Sequence, residues 1–225
     1  WMELGGKSPN IVFADCPDME GAAAAAAGNV FYNQGESCNA PTRLYVEASI
    51  KDAFMKKVAA HVASFQPGDP LDPATTMGAI VDDIQMNGVL KYIESGKTEG
   101  AELIAGGQQC RQESGGYFIE PTIFVTNKNH TIAREEIFGP VLSAMTFETE
   151  AEAIALANDS IYGLQAGVWT ADISRAHRVA RALKAGTVHI NQYNDDDITV
   201  PFGGYKQSGN GRDKSLHSMD KYCEL

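Results

Sequence analysis

Cys38 has the most chemistry to offer. It closes Asn33-Gln34-Gly35-Glu36-Ser37-Cys38, a polar turn carrying a glycine, just after a long alanine-rich stretch. The thiolate is the reactive form of cysteine, and backbone amides around a turn can stabilise it and an oxyanion formed beside it. A lone cysteine is more often a buried, inert one, so Cys38 alone leaves both readings open. Glu3 precedes Leu4-Gly5-Gly6-Lys7-Ser8-Pro9, where paired glycines permit a tight turn or a close approach. A carboxylate there could act as general base; the plainer reading is a solvated acid near the chain end.

Two further stretches carry polar chemistry. Glu135-Glu136-Ile137-Phe138-Gly139-Pro140 joins paired carboxylates to an aromatic ring and a helix stop. The acids could bind hydroxyls or move protons, or simply complement the dipole of a short helix. Pro201-Phe202-Gly203-Gly204-Tyr205-Lys206-Gln207-Ser208-Gly209-Asn210-Gly211-Arg212 invites a phosphate-loop reading. It fails the G-x-x-x-x-G-K-[ST] spacing and reads as a fixed irregular loop. Ahead of it, Asp195, Asp196 and Asp197 form either a solvated turn or a receiver for a cationic substrate end. The five histidines are dispersed and none is near Cys38 in sequence, which leaves a Cys-His hydrolase without sequence support. The four cysteines have no C-x-x-C pair and no histidine at ligand spacing, so no metal site is expected, and free thiols in a reducing cytosol are.

The elements that position these residues must come from 225 residues, 44% of them hydrophobic and 21% charged. At roughly 150 residues per domain the length is ambiguous between one domain and two. The net charge of −11 argues against a nucleic-acid partner. No apolar run reaches the roughly 20 residues that span a bilayer, so no membrane partner is expected. Trp1–Gly6 does not read as a signal peptide, and the abrupt start suggests part of a longer chain.

Strands are expected at 10–14, 43–46, 101–105, 141–147, 164–169 and 187–190, with an extended stretch over 118–125 that Pro121 makes an edge or an interruption. Helices are expected at 19–32 capped by Asp18, 49–65 capped by Ser49, 81–96, 148–158 with Thr149 as a cap, and 172–185, with a short helix or turn at 134–138. Alternating strands and helices imply βαβ units: an α/β fold with an open, mostly parallel twisted sheet flanked by helices.

Glu3–Pro9, Asn33–Cys38, Glu135–Pro140 and Pro201–Gly209 occur in an order that resembles the aldehyde dehydrogenase superfamily across essentially the whole chain. Phe31–Gly35 and the 193–213 segment resemble the branch acting on γ-glutamylamino- and guanidino-aldehydes. The resemblance implies one catalytic domain over 1–225 and a requirement for NAD or NADP. It also implies a small-molecule aldehyde substrate, a homo-oligomeric full-length protein, and cytoplasmic location. Cys38 matches the nucleophile and Glu3 the general base. Glu136 matches the group that binds the nicotinamide-ribose hydroxyls, Phe138 packs near the nicotinamide, and Gln85 lies where a more peripheral cofactor contact is expected. Tyr32 and Phe202 match walls of the substrate tunnel, and Ser37 and Asn39 flank the nucleophile.

Two positions depart from the family. Glu36 replaces a usual Gln and is expected to point away from Cys38, whose thiol it would otherwise raise. Asp213 replaces a usual Glu and is one methylene short for ordering water. The dinucleotide-binding segment, a partner asparagine for the oxyanion hole and a final oligomerisation strand are expected outside these residues. Asp195 and Asp196 at the tunnel mouth favour an amino or guanidino tail. The competing readings are a non-catalytic folding or association module of the same family, and a cysteine hydrolase.

Overall fold

The computed structural model describes residues 1–194 and 197–224. Its strands are β1 (Pro9–Val12), β2 (Arg43–Glu47), β3 (Glu102–Ala105), β4 (Gln109–Cys110), β5 (Phe118–Ile119), β6 (Thr122–Val125), β7 (Val141–Phe147), β8 (Tyr162–Gly163), β9 (Gln165–Trp169), β10 (Thr187–Ile190) and β11 (Tyr205–Lys206). Its helices are α1 (Met19–Phe31), α2 (Lys51–Val62), α3 (Asp83–Thr98), α4 (Thr131–Arg134), α5 (Glu150–Asn158) and α6 (Ile173–Ala182). Seven strands form one sheet in the order β10-β9-β1-β2-β7-β6-β3. Every pair is parallel except β3 against β6. This is the expected α/β architecture with one antiparallel edge.

Strand alternation assigns the two faces. Val12, Leu44 and Val46 point to the side covered by α1 and α2, where they meet Ala22, Ala23, Ala26, Phe54 and Val58. Ile11, Phe13, Tyr45 and Met145 point to the other, under α5 and α6, and meet Ala153, Ala157 and Val179. Ala22, Ala23, Ala26 and Ala27 of α1 have almost no exposed surface, and their small side chains bring the helix close onto the sheet. A third cluster seats α3 through Val89 and Ile93 against Phe124, Ile132, Ile137 and Val141.

Local chemistry explains where the expected boundaries hold and where they move. Asp18 accepts a hydrogen bond from the Gly21 amide, and Thr149 accepts one from Glu152, so both act as caps. Ser49 does not cap: its hydroxyl meets Glu47, a 3-10 turn spans Ala48–Ile50, and α2 starts at Lys51. Pro121 interrupts rather than marks an edge, since β5 and β6 flank it and β6 lies inside the sheet. The expected helix at 134–138 is displaced: α4 ends at Arg134, and Glu135 is already extended. Glu135 and Glu136 therefore follow a helix and complement no N-terminal dipole. No helix of the described residues is long and apolar enough to cross a membrane.

Candidate active site

Three sequence motifs immediately precede central parallel strands. Glu3 precedes β1, Cys38 precedes β2, and Glu136 and Phe138 precede β7. Since β1, β2 and β7 are successive parallel neighbours, these residues gather at the amino ends of the strands. In open α/β sheets, crevices more often lie beyond the carboxyl ends, so connection order alone does not locate this site.

Glycines bring the motifs into contact. A Cβ on Gly6 would lie 2.3 Å from the Cys38 carbonyl oxygen, and one on Gly5 would lie 1.7 Å from Glu136 Oε2. The Gly6 amide donates to Glu136 Oε1 at 3.0 Å. The segment carrying Glu3 is thus wedged between the Cys38 backbone and the Glu136 carboxylate. Gly35 (φ 75°) meets the Gly139 carbonyl in the same way, where a Cβ would come within 2.2 Å. The glycine-rich loop holds the other flank: Leu4 donates to the Ser208 carbonyl, and Asn210 and Gly211 both donate to the Met2 carbonyl, each at 3.0 Å.

The turn leading to Cys38 is left-handed at three consecutive residues, Asn33 (φ 49°), Gln34 (φ 56°) and Gly35. Such backbone costs about 1 kcal/mol or more at each non-glycine position and needs support. Asn33 supplies some by donating to the Glu36 carbonyl, and Gln34 by accepting from the Gly78 amide at 3.1 Å. Glu36 accepts from the Val81 amide at 3.2 Å, and it is not among the charges that shift Cys38. Its orientation matches the expectation.

Cys38 is half-buried, and its thiol is raised above the usual range. Burial is the main cause, the Glu136 charge adds to it, and Glu3 adds less, against the lowering effect of the Cys38 and Asn39 backbone. No imidazole is among the groups that shift it. Glu3 is pushed up to about 6, first by burial and then by its hydrogen bond with Asp213 and that residue's charge. Asp213 in turn pairs with Lys221 and is lowered by both partners. Glu136 is raised mainly by burial, offset by the Gly6 amide and Lys7.

The remaining expected residues divide clearly. Phe138 is left-handed (φ 52°) and 38% exposed. Tyr32 is exposed where α1 ends. Phe202 exchanges backbone hydrogen bonds with Asp213, at 2.8 and 2.7 Å, and the Lys214 ammonium lies 5.3 Å from its ring centre. Ser37 donates to Asn39 Oδ1 at 2.6 Å, and Asn39 donates onward to Gln165 and Asn194. These two brace the turn that carries Cys38. Gln85 donates to the Ile137 and Phe138 carbonyls at 3.0 and 2.7 Å. Asp195 and Asp196 lie outside the described residues. The four cysteines are free.

Sequence reasoning missed two buried cations. Arg43 donates to the Lys7 carbonyl, Tyr45 Oη and the carbonyls of Leu156 and Ala157, tying β2 to the last turn of α5. Lys7 is buried, its Nζ has no hydrogen-bond partner, and burial lowers its amine to about 7. A cation just before or at the start of a strand is not distinctive in sequence; only the fold shows that these two are enclosed.

The donor set suits part of a nicotinamide dinucleotide. A half-buried carboxylate fixed by one backbone amide is ready to accept from hydroxyls, and the exposed Phe138 lies two residues further along the same loop. Known proteins point the same way. The NADP/NAD-dependent aldehyde dehydrogenase PuuC of Escherichia coli is 55% identical over all of this chain and 45% of its own length. A betaine aldehyde dehydrogenase of Rhizobium leguminosarum is 50% identical, with 46% of its length covered. Among solved structures, an indole-3-acetaldehyde dehydrogenase complexed with NAD+ superposes with a TM-score of 0.99 at 61% identity, covering 100% of this chain and 46% of that one. A γ-glutamyl-γ-aminobutyraldehyde dehydrogenase from Burkholderia cenocepacia superposes at 0.98 with 55% identity, over 100% of this chain and 45% of that one. The chain thus spans about half the length of the relatives it matches. The aldehyde dehydrogenase family profile matches residues 1–225, and the chain belongs to that family.

Proposed function

We propose that the chain is the catalytic portion of an NAD(P)-dependent aldehyde dehydrogenase, with Cys38 as nucleophile and Glu3 as general base. The observation that carries this reading is the Gly5-Gly6 wedge, which puts the Cys38 backbone, the Glu136 carboxylate and the Glu3 segment in direct contact. The Cys38 thiolate adds to the aldehyde carbon, with backbone amides of the turn facing the developing oxyanion. NAD(P), when bound, supplies the hydride acceptor that turns this thiohemiacetal into a thioester. Glu136 would hold ribose hydroxyls and Phe138 would lie against the ring system, with Gln85 more peripheral. Glu3 then takes a proton from the water that attacks the thioester carbonyl, releasing carboxylic acid and thiolate. A carboxyl poised at about 6 is largely ionised at neutral pH yet remains a competent proton acceptor.

The substrate reading is an aldehyde with an amino or guanidino tail, such as 4-guanidinobutyraldehyde or γ-glutamylaminobutyraldehyde. It rests on Asp195 and Asp196 and on relatives named for betaine and γ-glutamylamino aldehydes. The relative named for indole-3-acetaldehyde favours an aromatic tail as the second reading, to be held by Tyr32 and Phe202. Homo-oligomeric assembly and cytoplasmic location belong to this same proposal.

The test uses the full-length enzyme. Cys38→Ala is expected to abolish NAD(P)H formation, while Glu3→Gln gives one burst of NAD(P)H and then stalls. Steady turnover in Glu3→Gln equal to the parent would remove Glu3 from the role. Asp195→Asn with Asp196→Asn should raise KM for guanidino and amino aldehydes more than for hexanal; equal changes would remove the cationic tail.

A further inference from the structure

The loop bearing Glu136 and Phe138 is held from one side by a single helix. Gln85 near the start of α3 donates to the Ile137 and Phe138 carbonyls. Tyr92 Oη donates to Glu135 Oε2 at 2.8 Å. Glu99, capping the end of α3, accepts from the Thr131 amide and hydroxyl, each at 2.6 Å, at the start of α4. Val89 fills the gap between the first two, where a Cβ on Gly139 would come within 2.5 Å of it. These three polar residues recur every seven positions. Seven residues fall about 20° short of two helical turns, so all three lie along one stripe of α3.

The stripe spans the whole loop: its start at Thr131, its acidic pair at Glu135, and its aromatic tip at Phe138. The carbonyls Gln85 holds belong to a left-handed non-glycine residue and its neighbour, which need such support. Tyr92 is half-buried, and burial together with Glu135 pushes its phenol up to about 12, so it remains a donor. The Glu99 carboxyl is held at about 2 by Thr131 and Ser95 and stays an acceptor through the neutral range.

We propose that the Gln85–Tyr92–Glu99 stripe is a positioning device that sets where the Glu136 carboxylate and the Phe138 ring stand. This rests on the cofactor-facing reading of Glu136 given above. Tyr92 and Glu99 are positioning residues, acting through Glu135 and the Thr131 backbone, and Gln85 adds to its peripheral cofactor role by holding the Ile137 and Phe138 carbonyls. The device separates two tasks. The nucleophile is set by α1 and the Asn33–Gly35 turn, and the cofactor face by α3. Perturbing the stripe should therefore move cofactor binding first, and reach the thiol only through the Glu136 charge.

The experiment compares Tyr92→Phe, Gln85→Met and Glu136→Gln in the full-length enzyme, each checked for an unchanged melting profile. Three readouts are taken: NAD+ Kd by titration, aldehyde KM, and the rate of Cys38 alkylation by iodoacetamide without cofactor. Tyr92→Phe is expected to raise NAD+ Kd about 3–10-fold, the scale of one lost hydrogen bond, with aldehyde KM unchanged and the alkylation rate altered less than in Glu136→Gln. Gln85→Met is expected to raise it further, since two bonds are lost. Should Tyr92→Phe lower melting, Tyr92→His, which keeps a donor, is expected to restore Kd. An NAD+ Kd within 1.5-fold of the parent in Tyr92→Phe, whatever Gln85→Met shows, with Glu136→Gln weakened, would overturn the proposal alone. No effect in Glu136→Gln either would overturn the cofactor reading beneath it.

Discussion

Replacing Gly6 with alanine tests the wedge most sharply. The added methyl would sit 2.3 Å from the Cys38 carbonyl oxygen, about 1 Å inside ordinary van der Waals contact. That oxygen is backbone, so no rotamer change relieves the clash. Either β1 or the Cys38 turn must move by most of that distance. Displacing a reacting group by about 1 Å typically costs on the order of 100-fold in rate. Gly5→Ala makes the contrast, because its methyl meets a carboxylate that can swing away. The loss there falls on the bond between the Gly6 amide and Glu136, and hence on cofactor affinity. In full-length enzyme, Gly6→Ala is expected to lower the NAD(P)H burst rate roughly 30- to 100-fold with little change in NAD+ Kd. Gly5→Ala should do the reverse, weakening NAD+ about 10-fold. Stopped-flow fluorescence and titration measure the two quantities. A folded Gly6→Ala enzyme with a burst rate within twofold of the parent would refute the close-approach argument.

Further outcomes follow from burial and charge. Glu136→Gln should speed Cys38 alkylation at neutral pH, since removing that carboxylate lowers the thiol pKa; iodoacetamide kinetics against pH measure it. Deacylation should rise with pH through about 6 as Glu3 ionises. Asp213→Asn should move that limb to lower pH, because the hydrogen bond and charge of Asp213 both raise Glu3. Lys7→Met should stabilise the fold by about 1–3 kcal/mol at pH 7 in denaturant titrations. Burial holds the Lys7 amine at about 7 against an ordinary 10.5, so the unfolded chain binds the extra proton between those values. Stability of the parent rises with pH across that window, and the advantage of Lys7→Met shrinks across it. Gly28→Ala in α1 has no neighbour within 4 Å and should add about 0.5–1 kcal/mol of stability without touching activity.

The sheet was legible because strands such as Val141–Phe147, a mostly apolar run, and Thr187–Ile190, which alternates polar and β-branched residues, are bounded by glycine, proline or polar residues. Helix starts were legible where a side chain caps, as at Asp18 and Thr149, and shifted at Ser49, whose hydroxyl has another partner. Four motifs could be marked as chemically loaded, yet their meeting could not be read from spacing. It depends on which strands are neighbours and on backbone contacts such as Gly6 against Cys38. The buried state of Lys7 and Arg43 has no local signature. The seven-residue recurrence of Gln85, Tyr92 and Glu99 was present in the sequence, but it only acquires meaning once the 131–139 loop lies against α3.

The central claim is that carbon from the aldehyde becomes an acyl group on Cys38 and that Glu3 is needed to remove it. Mass spectrometry of full-length Glu3→Gln, acid-quenched seconds after mixing with aldehyde and NAD+, tests it directly. The account predicts one acyl adduct per active site on the peptide containing Cys38, released by hydroxylamine and absent without NAD+. An unmodified Cys38 peptide after a full burst of NADH, or an adduct on another residue, would contradict it.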